Sequence, residues 1–377
     1  MGRARVICLV PVDSFFFRGH QDFTAGETTS AGGIFPPRPG TVYGALRSAY
    51  IHDQASFNEF EHGSNQALKE WMGTPEQPGN FRLRGTLVRA GGKSYAPLPH
   101  DYQVVKGKAL RLILRRDNPS YAWDGREYRL FSGTKEKSSS PEGYFVELAA
   151  WLQQMVNPES QLPAVSSREW LVQSEKTGIA LSGVTRAAAE EMLYRLPFSY
   201  FKSSDVLGAD YGFEAVVERG PVFKNNSMTR LGGRNRPARI VDEGKEVELF
   251  GEKDLEEIAK RIGETGVARL VFLTPAVLGE SSRFYSRQAA LFRIGNGLEC
   301  KVLSVAAGRP VLIGGWDIVK GRPKRRYPAY PAGSVFYLEV ERGKAADLVR
   351  WVADNNISDV LDYEGYGWAV VGPASLE

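Results

Sequence analysis

The C-terminal segment constrains this chain more than any other. Ser334–Val340 is apolar almost throughout, as a strand buried on both faces requires. In the following stretch, Lys344–Asn355, residues Ala345, Leu348, Val349 and Val352 fall at i, i+3, i+4 and i+7, which is one face of a helix. The chain then closes on Gly365-Tyr366-Gly367-Trp368-Ala369-Val370-Val371-Gly372, a strand framed by glycines. Strand, helix and strand in this order form the second half of a ferredoxin-like βαββαβ unit. Glycine has no Cβ, so backbone there admits close approach. Such a loop suits an RNA sugar–phosphate backbone better than a small-molecule pocket.

The elements upstream repeat the theme. Arg5–Val12 reads as a buried strand, and Pro36-Pro37-Arg38-Pro39 then opens a helix in which Val42, Ala45, Leu46 and Ala49 share a face. Phe81–Arg89, Met192–Phe201 and Gly212–Glu218 read as strands, and Tyr144–Val156 as helical. Lys106–Arg116 and Tyr128–Phe131 read as a hairpin around Asp124-Gly125. Leu255, Ile258, Ala259 and Ile262 mark another amphipathic helix, ahead of strand candidates at Ala268–Leu273, Lys301–Val305 and Pro310–Ile313. The expected class is α+β, two tandem ferredoxin-like domains with long loop and helical insertions. Their expected extents are 1–210 and 211–377, the second ending in the glycine-rich loop.

Composition limits the function. Lys and Arg number 48 against 44 Asp and Glu, a formal charge of only +4, so any nucleic-acid contact comes from local clustering. Cys8 and Cys300 lie far apart and fit no metal-ligand spacing. No run of about 18 apolar residues is present, and the N-terminus lacks the apolar core of a signal peptide, so a soluble cytoplasmic protein is expected. Catalytic signals are poor: four histidines (His20, His52, His62, His100), no HExxH and no Gly-x-Ser-x-Gly. The acidic pairs Glu190-Glu191 and Glu256-Glu257 read as solvent faces of helix-like segments. Neither a metal nor a cofactor is expected.

Four constellations suit RNA. In Phe15-Phe16-Phe17-Arg18-Gly19-His20 the aromatics serve either to stack bases beside a cation or as core. Pro39 suits the first position of its helix, whose free N–H groups attract phosphate, with Gly40 and Thr41 in the first turn and Arg38 and Arg47 adding charge. The competing reading is a plain capped helix. Arg230–Arg239 places four arginines around Gly232-Gly233, with Arg234 and Arg236 as bidentate phosphate partners. Lys320–Arg326 holds five cations in seven residues, Lys324, Arg325 and Arg326 among them. Gly365 and Gly367 complete the expected RNA contacts.

The order of these motifs resembles the RAMP superfamily of CRISPR proteins. The resemblance lies in the Phe-Phe-Arg-Gly segment, Pro36–Arg47, Glu175-Lys176-Thr177-Gly178-Ile179-Ala180, Thr185-Arg186-Ala187, Met192-Leu193-Tyr194 and Leu231-Gly232-Gly233. Gly365–Gly372 completes the set, and the Gly314-Gly315-Trp316-Asp317 and Pro331-Ala332-Gly333-Ser334-Val335 blocks narrow the resemblance to the third subunit of the Cmr module of type III-B effectors. That resemblance implies a non-catalytic subunit that binds and caps the 5′ tag of the crRNA. It also implies two neighbours, the large polymerase-like subunit and the repeating backbone RAMP subunit. Two alternatives stay open: a metal-independent CRISPR RNA endonuclease using His20, and the equivalent subunit of a type III-A complex.

Overall fold

A computed structural model describes residues 4–19, 33–117, 127–156, 161–181, 188–202, 208–279, 283–317 and 319–377. The first half supplies β1 (Ala4–Pro11), α1 (Pro39–Gln54), α2 (Gln66–Met72), β2 (Arg82–Ala90), β3 (Leu171–Leu181), β4 (Ala188–Phe201), β5 (Gly212–Arg219) and β6 (Pro237–Val247). The second half supplies α3 (Glu252–Thr265), β7 (Val267–Phe272), β8 (Leu298–Ala306), β9 (Trp316–Asp317), β10 (Arg322–Pro323), β11 (Val335–Glu339), α4 (Ala345–Asp354) and β12 (Ala369–Pro373).

Two antiparallel sheets organise these elements. The central strands of the first run β6–β1–β5–β2, flanked by short strands at both edges. Those of the second run β12–β7–β11–β8. In chain sequence both quartets read fourth, first, third, second. With helices packed on sheet faces this is an α+β architecture.

Local sequence explains the layers. In β1, Ile7 and Leu9 enter the core beneath α1, while Cys8 and Val10 pack on the other face against Val241. Alternating side chains are thus buried on both sides, which is why the strand reads as a continuous apolar run. Helix α1 buries Val42, Ala45 and Leu46, and Tyr43 stacks on Phe81 at 4.9 Å. Helices α3 and α4 pack against each other and over β12. Among the described residues no helix is long and apolar enough to cross a membrane.

One buried charge ties the halves together. Arg269 in β7 and Asp101, from a loop of the first half, are 1% and 0% exposed. The Arg269 guanidinium donates through Nε and Nη2 to the two Asp101 oxygens, the latter at 2.6 Å, and the Tyr337 hydroxyl donates to the same carboxylate at 2.7 Å. Burial alone would raise the Asp101 carboxyl, but Arg269, helped by Tyr337, holds it below its ordinary value.

The first sheet includes β5 and β6, and its last strand ends at Val247, ahead of α3 at Glu252. Two expectations change. Tyr144–Val156 is not one helix: Tyr144–Glu147 is a strand on the Lys93–Pro97 edge, and the helix begins at Leu148. Tyr144, Phe145 and Val146 are aromatic or β-branched and favour pairing once that edge is present. Glu190-Glu191 lies in β4. The Ile113–Arg116 and Tyr128–Phe131 strands do pair, and Asp124-Gly125 lies outside the described residues.

Candidate nucleic-acid interface

The start of α1 is occupied by the chain itself. Pro39 stands at the helix start with Arg38 as N-cap. The Gly40 N–H donates to the Tyr366 hydroxyl oxygen, and the Thr41 N–H donates to the Arg38 carbonyl at 2.9 Å. A Cβ on Gly40 would stand 2.5 Å from a carboxylate oxygen of Glu364. The Glu364 carboxylate therefore lies beside the first turn of the helix. Burial pushes the Glu364 carboxyl up, and Lys324 and Arg47 pull it back down.

The two helix arginines are also committed. Arg38 donates to the Leu312 carbonyl, and burial lowers its guanidinium from its ordinary value. Arg47 donates to the Met72 carbonyl at 3.1 and 2.7 Å and to that of Thr74 at 3.0 Å, closing the end of α2, and lies 4.9 Å over the Phe60 ring. Arg38, Gly40, Thr41 and Arg47 thus form an internal joint of the fold.

The closing glycines also pack against the chain itself. Gly365 and Gly367 have φ of +94° and +78°, a region that favours glycine. A Cβ on Gly365 would meet Gly85 Cα at 3.1 Å, and one on Gly367 would meet the Ile357 carbonyl oxygen at 2.3 Å. Tyr366 and Trp368 are each 1% exposed. The close approach foreseen at this loop is that of the chain's own backbone.

A different junction brings several predicted segments together. Phe15, Phe16 and Phe17 are all buried, and Phe17 packs on Phe15 and Phe213 at 5.3 Å each, so Phe17 is core and no base platform. The ribbon β3–β4 docks here through paired hydrogen bonds between Phe15 and Ser199 at 2.7 and 2.9 Å. Phe198 of the ribbon lies 5.9 Å from Phe16. The Leu231–Arg236 loop closes the junction: the Gly233 N–H donates to the Phe16 carbonyl at 2.8 Å, and a Cβ on Gly232 would stand 2.7 Å from the Phe17 ring. Gly232 and Gly233 thus let an arginine loop lie flat on the aromatic segment.

Cations gather over this junction. Lys176 Nζ lies 5.2 Å and Arg236 Cζ 4.5 Å from the Phe198 ring centroid. Arg236 also pairs with Asp13 at 3.7 Å. Arg18 and Arg234 are exposed on the two loops and Gly19 is half-buried, while Arg195 is exposed on the ribbon opposite Thr177. Sequence reasoning singled out Arg18, Arg234 and Arg236 but not Lys176, Arg195 or Phe198. Polar and apolar residues alternating along the ribbon were the available signal. His20, Thr185 and Arg186 lie outside the described residues.

A second cationic element is the arm from Val311–Ile313 to Tyr327–Ala329, two paired strands with β9–β10 at its end. Lys324, Arg325 and Arg326 are exposed on it, and Arg325 lies 4.9 Å over the Tyr327 ring. As for catalytic groups, among the described residues no three His, Cys, Asp or Glu side chains are placed to hold a metal. Burial pushes the Cys8 and Cys300 thiols up to about 12 and about 11, so neither ionises near neutrality.

The family model described as CRISPR-associated protein (Cas_Cmr3) matches residues 7–374. No curated protein matches the chain. Among solved structures it is similar to a chain of the type III-B Cmr-beta bound to cognate target RNA and AMPPnP, state 1, at 16% identity, covering 96% of this chain and 94% of that one with a TM-score of 0.49. A chain of Cmr-beta bound to cognate target RNA gives 15% identity, the same coverages and a TM-score of 0.48. The family match alone carries the argument that follows.

Proposed function

The chain belongs to the Cas_Cmr3 family of CRISPR-associated proteins, and from that premise we propose that it is a non-catalytic subunit of a type III-B effector, acting in the cytoplasm, that binds the 5′ tag of the crRNA. The observation that carries this reading is the junction of the Phe15–Gly19 loop, the β3–β4 ribbon and the Leu231–Arg236 loop. Lys176 and Arg236 lie over the Phe198 ring there, and Arg18 and Arg234 are exposed on the two adjoining loops. With a formal charge of only +4, such a local cluster is the means by which the chain holds a phosphate backbone. The partners proposed with the crRNA are the large polymerase-like subunit and the repeating backbone RAMP subunit. Each sheet is proposed to be an elaborated ferredoxin-like unit, supported by the shared strand order.

The test is purification of the full chain from cells that express the crRNA, followed by sequencing and footprinting of the RNA that accompanies it. The expected result is crRNA protected at its 5′ end, with no cleavage of repeat RNA in metal-free buffer. Cleavage of that RNA, or protection elsewhere on the crRNA, overturns the proposal.

A further inference from the structure

Trp316 is 59% exposed, whereas Trp151 and Trp368 are each 1% exposed. It lies in β9 at the end of the arm, opposite Pro323 of β10. A hairpin of two residue pairs does not hold itself together in water. This one is carried by the Val311–Ile313 and Tyr327–Ala329 pairing and by the Arg38 contact to Leu312. The ring therefore stands on an anchored support.

Its surroundings are cationic. Lys320, Arg322, Lys324, Arg325 and Arg326 are all exposed. The acid of the hairpin, Asp317, is used locally: its carboxylate accepts the Lys320 N–H at 3.0 Å, and that bond holds the carboxyl below its ordinary value. Gly314 and Gly315 shape the rest. A Cβ on Gly314 would stand 3.2 Å from Arg326 Cγ and one on Gly315 3.6 Å from Lys324 Cδ, so the stems of both cations lie along the strand that leads to Trp316. The Lys324 N–H donates to the Gly315 carbonyl at 2.9 Å. These contacts fix Arg326 and Lys324 on the same arm as Trp316.

We propose that Trp316 is a stacking platform for one unpaired RNA base, with the flanking lysines and arginines taking the adjoining phosphates. This rests on the RNA-binding reading above. Every base presents a π face, so a single exposed indole among cations suits single-stranded RNA whatever its sequence. A protein neighbour could also use a Trp–Arg anchor, and it would give equal losses on both probes or none. Among the described residues Trp316 is the one large hydrophobic side chain exposed on this arm.

The test compares two probes, a short oligoadenylate and an abasic ribose–phosphate chain of equal length. Trp316→Ala is expected to weaken oligoadenylate binding by about 5- to 150-fold. It should leave the abasic chain, and the salt dependence of both, unchanged. Trp316→Phe should retain most of the affinity. Equal losses on both probes, or no loss on either, overturn the stacking platform. Arg18→Ala with Arg234→Ala, measured in parallel, separates the two readings. If that pair flattens the salt dependence while Trp316→Ala does nothing, only the platform falls. If neither variant changes binding of either probe, the RNA-binding reading falls as well.

Discussion

Replacing Gly367 by alanine should unfold the protein more readily without touching its RNA contacts. The backbone there has φ of +78°, and forcing an L side chain into that region costs about 1–2 kcal/mol. The new Cβ would stand 2.3 Å from the Ile357 oxygen, 2.4 Å from its carbon and 2.8 Å from the Ser358 nitrogen. These are backbone atoms, and they are pinned: the Ile357 N–H donates to the Gly367 carbonyl at 2.7 Å, and the Gly367 N–H to that of Pro275 at 2.8 Å. Overpacking of this kind adds about 1–3 kcal/mol. The sum, about 2–5 kcal/mol, is a large part of a typical stability of about 5–15 kcal/mol. Gly263→Ala is the control. It lies inside α3 with open space around the new Cβ, and should stabilise by about 0.5–1 kcal/mol. Urea unfolding midpoints at equal m-values read both effects. An unchanged midpoint for Gly367→Ala together with weaker RNA binding would refute the reasoning, because the glycine would then be serving a ligand.

Two further substitutions probe the joints that sequence alone assigned otherwise or left unassigned. Arg47→Ala should cost about 1.5–3 kcal/mol in urea unfolding because the Met72 and Thr74 carbonyls lose their charged donor, with Arg47→Lys recovering little and the salt dependence of RNA binding unmoved. Asp101→Asn should cost about 3–5 kcal/mol, because Arg269 stays buried without its counter-charge. The pH dependence follows from the depressed Asp101 carboxyl: its contribution is present above the unfolded value near 3.9 and is lost as pH falls through the folded one. Stability below about pH 4 should therefore fall steeply in the native chain and less steeply in Asp101→Asn.

Short-range pattern was legible where one face of one element decided it. The Val42, Ala45, Leu46 spacing placed α1, and the apolar run at Ser334–Val340 placed β11. Strand neighbours were not legible in the same way: β5 inserts between β1 and β2, and nothing local to Gly212–Arg219 says so. The site suffered from a chemical ambiguity. A missing Cβ admits a ligand or another stretch of the same chain, and Ile357 and Gly85 decide for the chain. A helix start accepts a ligand or groups of the same chain, and Tyr366, far downstream, supplies the acceptor for the Gly40 N–H. Phenylalanines beside an arginine serve a base or a core, and only burial separates the two for Phe17. The arginine loop was legible because its charge density has no use in a core. Its companion ribbon was not, because Lys176 reaches Phe198 only through the β3–β4 register.

The most direct test of the account is the salt dependence of tag-RNA binding by Arg18→Ala with Arg234→Ala. Removing one cation that neutralises a phosphate of a single strand flattens the log-affinity against log-salt slope by about 0.7. The account predicts a slope flatter by about 1.4 for the pair, with urea midpoints unchanged. A slope identical to that of the native chain would contradict it and remove the junction from the RNA path.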